Sequence, residues 1–408
     1  MHEAFAALYS RQPSVVVRAP GRVNLIGEHT DYSLLPVLPM AIEQAVTVAA
    51  AATGAPLVAA ASRAFLDPVT VARGGEVHEA AGWARYLAGA LRELDGLAPG
   101  RGAELFIESD LPPMGGLSSS SALTMALLAA LNQCWALGLD RAELVRRAIV
   151  AERHVGVESG GMDQEAIAFA EAGSALRIGF APPSRVPVPL PDGVAFAAAY
   201  SGESAPKGGE ARDAYNERVL GARIAAAMLC EMVGLEPSAP PCLADVAAVE
   251  VVDLLVEELP PKMSAMEAAH AADLAVARLV TLTADSLDSR AKVPVRAIAR
   301  HILGEAQRVD AAVAALEATD AVSFGRLMDE SHNSLRNDFR CSTPALDRLC
   351  AAMRSAGAYG ARLTGAGFGG FALAALPAER LPDVLEAARE ATGGPAFEVR
   401  SAAGLALL

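Results

Sequence analysis

Apolar positions along the chain switch repeatedly between strand and helix spacing. Leu123, Leu127, Leu128 and Leu131 fall on one helical face behind four serines, Ser118 to Ser121, and predict a helix opened by a serine-rich turn. Residues 103–110, just upstream, read as the strand that feeds it. Earlier, residues 3–9 suit a short amphipathic helix, Ser14 to Arg18 a strand, and Val37 to Ala50 a longer strand. Leu57 to Val71 reads as further strands broken at Asp67-Pro68. Trp83, Tyr86, Leu87, Leu91 and Leu94 give a second helical stripe, whose aromatics read as core. Asp140 is placed to cap a helix over Arg141 to Arg153. The five prolines from Pro182 to Pro191 mark a boundary or a bent edge strand, and Val194 to Tyr200 a strand. Glu210 to Glu231 is predicted helical, 243–290 as helical fragments, and Val295 to Ala318 with Ala321 to Leu335 as a helical hairpin. Pro344 to Ser355 and Leu381 to Ala391 add helices; Gly360 to Thr364, Phe371 to Ala375 and Phe397 to Ser401 add strands. No internal repeat is visible.

Composition narrows the class. The 408 residues have room for two or three domains and a large core, and 52% hydrophobic with 20% charged residues describes a soluble globular chain. A net charge of −14 excludes nucleic acid or an anionic membrane as the main partner. Cys134, Cys230, Cys242, Cys341 and Cys350 show no CxxC spacing and read as reduced thiols in the cytoplasm. Residues 1–11 lack a signal peptide's apolar core, and the alanine-rich run near 45–62 contains Thr, Gly and Pro and reads as strands, not a membrane span.

Four stretches could carry chemistry. Pro112 to Ala122 combines a strand end, glycines, serines and a helix N-terminus, a cradle for a polyphosphate. A serine-rich cap is its plain alternative, and no Lys stands where a Walker A loop needs one. Ala19 to Tyr32 fits neither period, yet packs Arg22, Glu28, His29 and Asp31 into ten residues, a density suited to holding several hydroxyl groups; a polar surface loop is the alternative. Asp163 follows Gly160-Gly161 at a predicted helix start, where capping is the simpler role. Gly365-Ala366-Gly367-Phe368-Gly369-Gly370 joins strand to strand, which excludes a dinucleotide fingerprint.

Taken together, Gly21–Tyr32, Pro112–Leu123 and Leu363–Gly370 resemble, in order and spacing, the galactokinases of the superfamily named for galactokinase, homoserine, mevalonate and phosphomevalonate kinases (GHMP). The first stretch is nearly identical to the galactokinase signature. Val155–Gln164 resembles the segment carrying that family's catalytic Asp, and Glu330–Phe339 a further galactokinase segment. The likeness runs from about Val15 to Arg400 and is weakest over 230–295. It implies an α+β chain with the two-domain GHMP kinase fold: an N-terminal α/β domain with a left-handed crossover (1–190) and a C-terminal α+β domain (191–408). The active site would lie in the cleft between them, and a helical insertion would occupy about 237–292.

Residue roles carry over by the same resemblance. Asp163 matches the catalytic Asp and Arg22 its partner, while Glu28, His29, Asp31, Gly161 and Tyr215 match sugar-contacting positions. Gly115, Gly116, Leu117, Ser118, Ser119, Ser120 and Ser121 match the ATP cradle, with Gly365, Gly367 and Gly369 near the phosphates. Ser120 and Glu152 match ligands of the Mg²⁺ that accompanies ATP. The implied partners are ATP and a monosaccharide, with no nucleic acid or membrane, for a monomer or weak homodimer. The chain departs from the family at Ser33-Leu34-Leu35-Pro36 beside the sugar contacts, at Met114 and Ser121 in the cradle, and in the spacing of Glu152 to Asp163. It departs also at Lys207-Gly208-Gly209 and in a longer Tyr215–His301 interval. An anomeric-hydroxyl kinase for galactose is the leading expectation. A kinase for N-acetylgalactosamine, arabinose or a uronic acid, and a non-catalytic sugar sensor, stand beside it.

Overall fold

The computed structural model describes residues 1–64, 67–112, 116–156, 160–204, 210–279 and 288–408, with backbone alone at 210–212 and 277–278. After α1 (His2–Tyr9), β1 runs from Val15 to Ile26, well past the predicted end at Arg18. Residues 19–26 are all buried, so the half-buried alternation that announces a strand is absent there. Its pairing with β2 (Leu38–Thr53) shifts register between Pro20 and Arg22, which accommodates the proline. Gly21 is required at that shift: a Cβ would stand 2.4 Å from the Leu111 side chain and 2.8 Å from the Leu117 carbonyl. Arg22 N–H donates to the same carbonyl at 3.2 Å, stitching β1 to the loop before the serine helix.

The chain continues through β3 (Leu57–Ser62), β4 (Val69–Ala72), α2 (Ala84–Glu93), β5 (Gly102–Ser109), α3 (Ser119–Cys134), α4 (Arg141–Val155) and α5 (Met162–Phe169). The hairpin β6 (Ser174–Phe180) and β7 (Pro183–Pro189) takes up the proline-rich stretch as an edge strand. Then come β8 (Val194–Tyr200), the 24-residue α6 (Glu210–Val233), and the short helices α7 (Val252–Glu258), α8 (Ala265–Ala271) and α9 (Val276–Leu279). The predicted hairpin is α10 (Val295–Glu317) with α11 (Ala321–Ser334). Last are α12 (Pro344–Ser355), β9 (Gly360–Thr364), β10 (Phe371–Pro377), α13 (Leu381–Thr392), β11 (Ala396–Val399) and β12 (Ala406–Leu407).

Two main sheets result. One has the order β12-β1-β2-β5-β3-β4, the other β11-β8-β10-β9. Every pair is antiparallel except β3 with β5, which the crossover through β4 and α2 joins in parallel. β12 closes the first sheet from the far end of the sequence, Val17 pairing with Leu407. Apolar packing is continuous from Leu25 and Leu127 beneath the first sheet to Phe196, Val309, Phe324 and Phe371 around the second. A second core gathers Ile224, Leu243, Ile298, Leu363 and Leu376. Against it pack the short helices of the longer Tyr215–His301 interval. Among the described residues, no helix is long and apolar enough to cross a membrane.

Candidate active site

Arg22 emerges from β1 just past the register shift and meets Asp163, the second residue of α5. Its Nε donates to Asp163 Oδ1 at 2.7 Å, and its Nη2 lies 2.6 Å from the same oxygen. Its Nη1 donates to the Gly116 carbonyl at 2.9 Å, tying the pair to the cradle. Asp163 Oδ2 accepts from Ser118 Oγ and, at 3.4 Å, from Ser121 Oγ. Ser118 holds a left-handed φ of 58°, a conformation that costs an L-residue about 1–2 kcal/mol. Burying an ion pair is favourable only when further donors satisfy it, as these serines do.

The polar cluster after Arg22 forms a buried turn, not a surface loop. Glu28 is 2% exposed; its Oε1 accepts from Gly365 N–H at 2.7 Å and lies 3.6 Å from Arg362 Nη1. Burial pushes the Glu28 carboxyl above the usual range, and the opposing pull of Arg362 and Arg22 does not cancel it. His29, at φ 66°, donates from Nε2 to the Ala366 carbonyl at 3.1 Å, since a carbonyl can only accept. Burial, with His301 nearby, drives its pKa down to about 3, so at pH 7 the ring is neutral and Nδ1 is an acceptor. The ring stacks on Phe339 at 4.3 Å and abuts Tyr215 at 5.6 Å. Asp31 accepts from Tyr32 N–H at 2.9 Å and from Met162 N–H at 3.3 Å. Burial, then the charge of Asp163, pushes its carboxyl up to about 6.

The glycine loop closes the other wall. Gly365, at φ 86°, sits so near the cradle that a Cβ would lie 3.2 Å from both Cα and O of Gly116. Gly367 packs against Cys341 at φ 78°, and Gly369 holds φ 125°. Glu152 on α4 is buried, and desolvation, then the charge of Asp163, pushes its carboxyl up to about 7. Its Oε1 has no hydrogen-bond partner. Tyr86, predicted as core, stands on the cavity wall beside Ser120.

These groups enclose a cavity of about 270 Å³. Of the positions singled out in the sequence, Arg22, Glu28, His29, Asp31, Ser120, Ser121, Glu152, Asp163, Tyr215 and Gly365 line it. Gly116, Leu117, Ser118 and Ser119 lie just behind them in the cradle, and Gly161 is the N-cap of α5. Gly115, Met114 and Lys207-Gly208-Gly209 lie outside the described residues. Leu34 and Leu35, in the stretch that departs from the family beside the sugar contacts, do not line the cavity. Leu34 takes a left-handed φ of 59° to end a short turn and is 40% exposed, while Leu35 packs into the second core. Sequence reasoning misses Tyr86, Met162 and Ala366 on the wall, and Arg362, Glu305 and His301 behind it. The signal for Glu305 is a charge inside the apolar stripe of α10, between Ile302 and Val309; for Arg362 it is a charge in the middle of an apolar strand.

Comparison with known proteins bears on this geometry. Residues 3–52 match the model of the galactokinase galactose-binding signature, 84–171 that of the GHMP kinases N-terminal domain, and 312–393 that of the GHMP kinases C-terminal domain. The chain is 35% identical to the galactokinase of Chloroflexus aggregans over 398 residues, covering 95% of this chain and 90% of that one. It is 36% identical to the galactokinase of Chloroflexus aurantiacus over 389 residues, covering 93% and 88%. The crystal structure of Lactococcus lactis galactokinase complexed with galactose superposes with a TM-score of 0.80 at 27% identity, covering 100% of this chain and 98% of that one.

Proposed function

The chain belongs to the galactokinase family of the GHMP kinase superfamily, and from that premise we propose that it transfers the γ-phosphoryl group of ATP to the C1 hydroxyl of galactose, giving galactose 1-phosphate and ADP. The observation that carries this reading is the Arg22–Asp163 pair, set in one cavity with Glu28, His29, Asp31 and Tyr215. Phosphoryl transfer asks the protein mainly for positioning and charge neutralisation. Asp163 accepts or orients the hydroxyl proton. Arg22 fixes that carboxylate and offsets charge developing on the phosphoryl oxygens. Glu28, Asp31 and the Nδ1 of neutral His29 accept hydrogen bonds from sugar hydroxyls, and Tyr215 packs against His29 on the same wall. Gly116 to Ser121, opening α3, with Gly365, Gly367 and Gly369 opposite, cradle the phosphates.

Mg²⁺ arrives with ATP in this reading. The Ser120 hydroxyl and the Glu152 carboxylate are hard oxygen donors, and the unpartnered, buried Glu152 Oε1 suits a cation. When bound, the ion neutralises phosphate charge. We also hold as proposals a division at 190/191, a monomer or weak homodimer, and a cytoplasmic location. The test is ADP release from ATP and Mg²⁺ over a panel of galactose, glucose, arabinose, N-acetylgalactosamine and mevalonate. Galactose should be preferred, because a mismatched epimer leaves buried polar groups unpaired at about 1–3 kcal/mol each. Robust activity on mevalonate with none on galactose would overturn the assignment.

A further inference from the structure

We propose that Glu305 is a positioning residue for the sugar-contacting turn, holding the backbone of Gly27 and Glu28 from the distant helix α10. This inference rests on the galactose reading of the cavity above. Glu305 Oε1 accepts from Gly27 N–H at 3.0 Å and Glu28 N–H at 3.3 Å, and Ser331 Oγ donates to the same oxygen at 2.6 Å. Its Oε2 accepts from Arg308 Nε at 2.8 Å. Arg362 lies between the two carboxylates, 3.6 Å from Glu28 Oε1 through Nη1 and 3.6 Å from Glu305 Oε1 through Nη2. His301, one helical turn earlier on α10, donates from Nε2 to the Glu28 carbonyl at 3.2 Å. The main-chain groups of Glu28 and its carboxylate are thus all anchored to residues from the second half of the sequence.

Filling a gap in the core does not explain this arrangement. Glu305 is fully buried on an apolar stripe with Ile298, Ile302 and Val309, a position where a carboxylate is costly unless it is paired and hydrogen-bonded. Burial by itself would raise its pKa, yet Arg308 and Arg362 hold it down to about 2, so the group is an anion that accepts at both oxygens. The turn does not supply these acceptors itself, and bulk solvent does not reach a carboxylate with no exposed surface. With the acceptor gone, two buried N–H groups lose their partner, and the turn that aims Glu28 and His29 relaxes.

The experiment compares Glu305→Ala, Glu305→Gln and Ser331→Ala with the unaltered protein, measuring kcat, KM for galactose, KM for ATP and melting temperature. Glu305→Ala should raise the galactose KM by about tenfold or more, with the ATP KM within about twofold. Glu305→Gln keeps an oxygen facing both N–H groups and should recover the galactose KM to within about threefold. Ser331→Ala removes one donor to the same oxygen and should raise the galactose KM by about threefold; it carries the test if Glu305→Ala does not fold. A folded Glu305→Ala variant with the original galactose KM would overturn the proposal. So would galactose and ATP KM values that rise together in step with a falling melting temperature. If the unaltered protein leaves galactose untouched, the functional reading fails instead, and the same comparison is made with whichever sugar it does phosphorylate.

Discussion

Replacing Gly365 with alanine should damage both substrate sites at once. The residue holds φ 86°, which an L side chain adopts at a cost of about 1–2 kcal/mol. The new Cβ would stand 3.2 Å from the Gly116 Cα and carbonyl oxygen, and both are backbone atoms that cannot swing aside. Relief requires the loop to move by a few tenths of an ångström. That movement weakens the 2.7 Å hydrogen bond from Gly365 N–H to the Glu28 carboxylate, of a kind worth about 1.5–3 kcal/mol. A loss of about 1.4–2.8 kcal/mol in sugar binding corresponds to a galactose KM raised about 10- to 100-fold. The ATP KM should rise as well, because Gly116 belongs to the cradle; in Glu305→Ala it should not. Gly393→Ala is the control: Gly393 has φ 68°, caps α13, and has no neighbouring atom within 4 Å of the place an alanine methyl would take. It should lose the same conformational energy and leave kinetics unchanged. The assay is steady-state kinetics in both substrates beside thermal unfolding of both variants. If Gly365→Ala melts like Gly393→Ala and keeps the original KM values, the contact between glycine loop and cradle has no functional weight.

Three further outcomes follow from the site. Asp163→Ala should lower kcat by about 10²–10⁴ or more while ATP still binds, as titration calorimetry would show, and unchanged turnover would remove Asp163 from catalysis. Chelating divalent ions should abolish activity and added Mg²⁺ restore it, with Ser120→Ala needing more Mg²⁺; full activity in excess chelator would sink the metal assignment. Asp31 gives a pH signature in stability. Its folded pKa is raised from 3.8 to about 6, so the folded state binds the extra proton and gains stability as pH falls through 6 towards 4, by up to about 3 kcal/mol. Between pH 6 and 4 the stability of the unaltered protein should gain relative to that of Asp31→Asn by an increment of this order; identical slopes would refute it.

Most of this site is legible in the sequence because phosphate and sugar chemistry concentrates distinctive residues in short stretches. Arg22, Glu28, His29 and Asp31 stand within ten positions, and the serines of the cradle open a helix whose leucines set its face. The run through Pro20-Gly21 is illegible as strand because burial on both faces removes alternation, and a register shift admits the proline. Tyr86 is hidden by its company: on a stripe with Leu87, Leu91 and Leu94, an aromatic reads as core until a neighbouring serine and carboxylate are seen beside it. Glu305 and Arg362 meet only through tertiary packing, and no local period relates a mid-helix carboxylate to a mid-strand guanidinium. Conversely, the departure at Leu34-Leu35 stands beside the sugar contacts in the sequence and is in the fold a turn end and a core contact.

The pairing of β12 with β1 sets a timetable for folding. β1 is made long before β12, and its outer edge, where Val16 and Val17 bond to Leu408 and Leu407, gains that partner only once residues 406–408 have been made. Until then Val15-Val16-Val17 is an unpaired, β-prone apolar edge of the kind that other chains can extend. Arg18 directly after it, only partly buried, places a charge where such an extension would run. The first sheet therefore cannot finish until residues 406–407 have been made, and β1, the strand that carries Arg22, gains its last neighbour long after its other one.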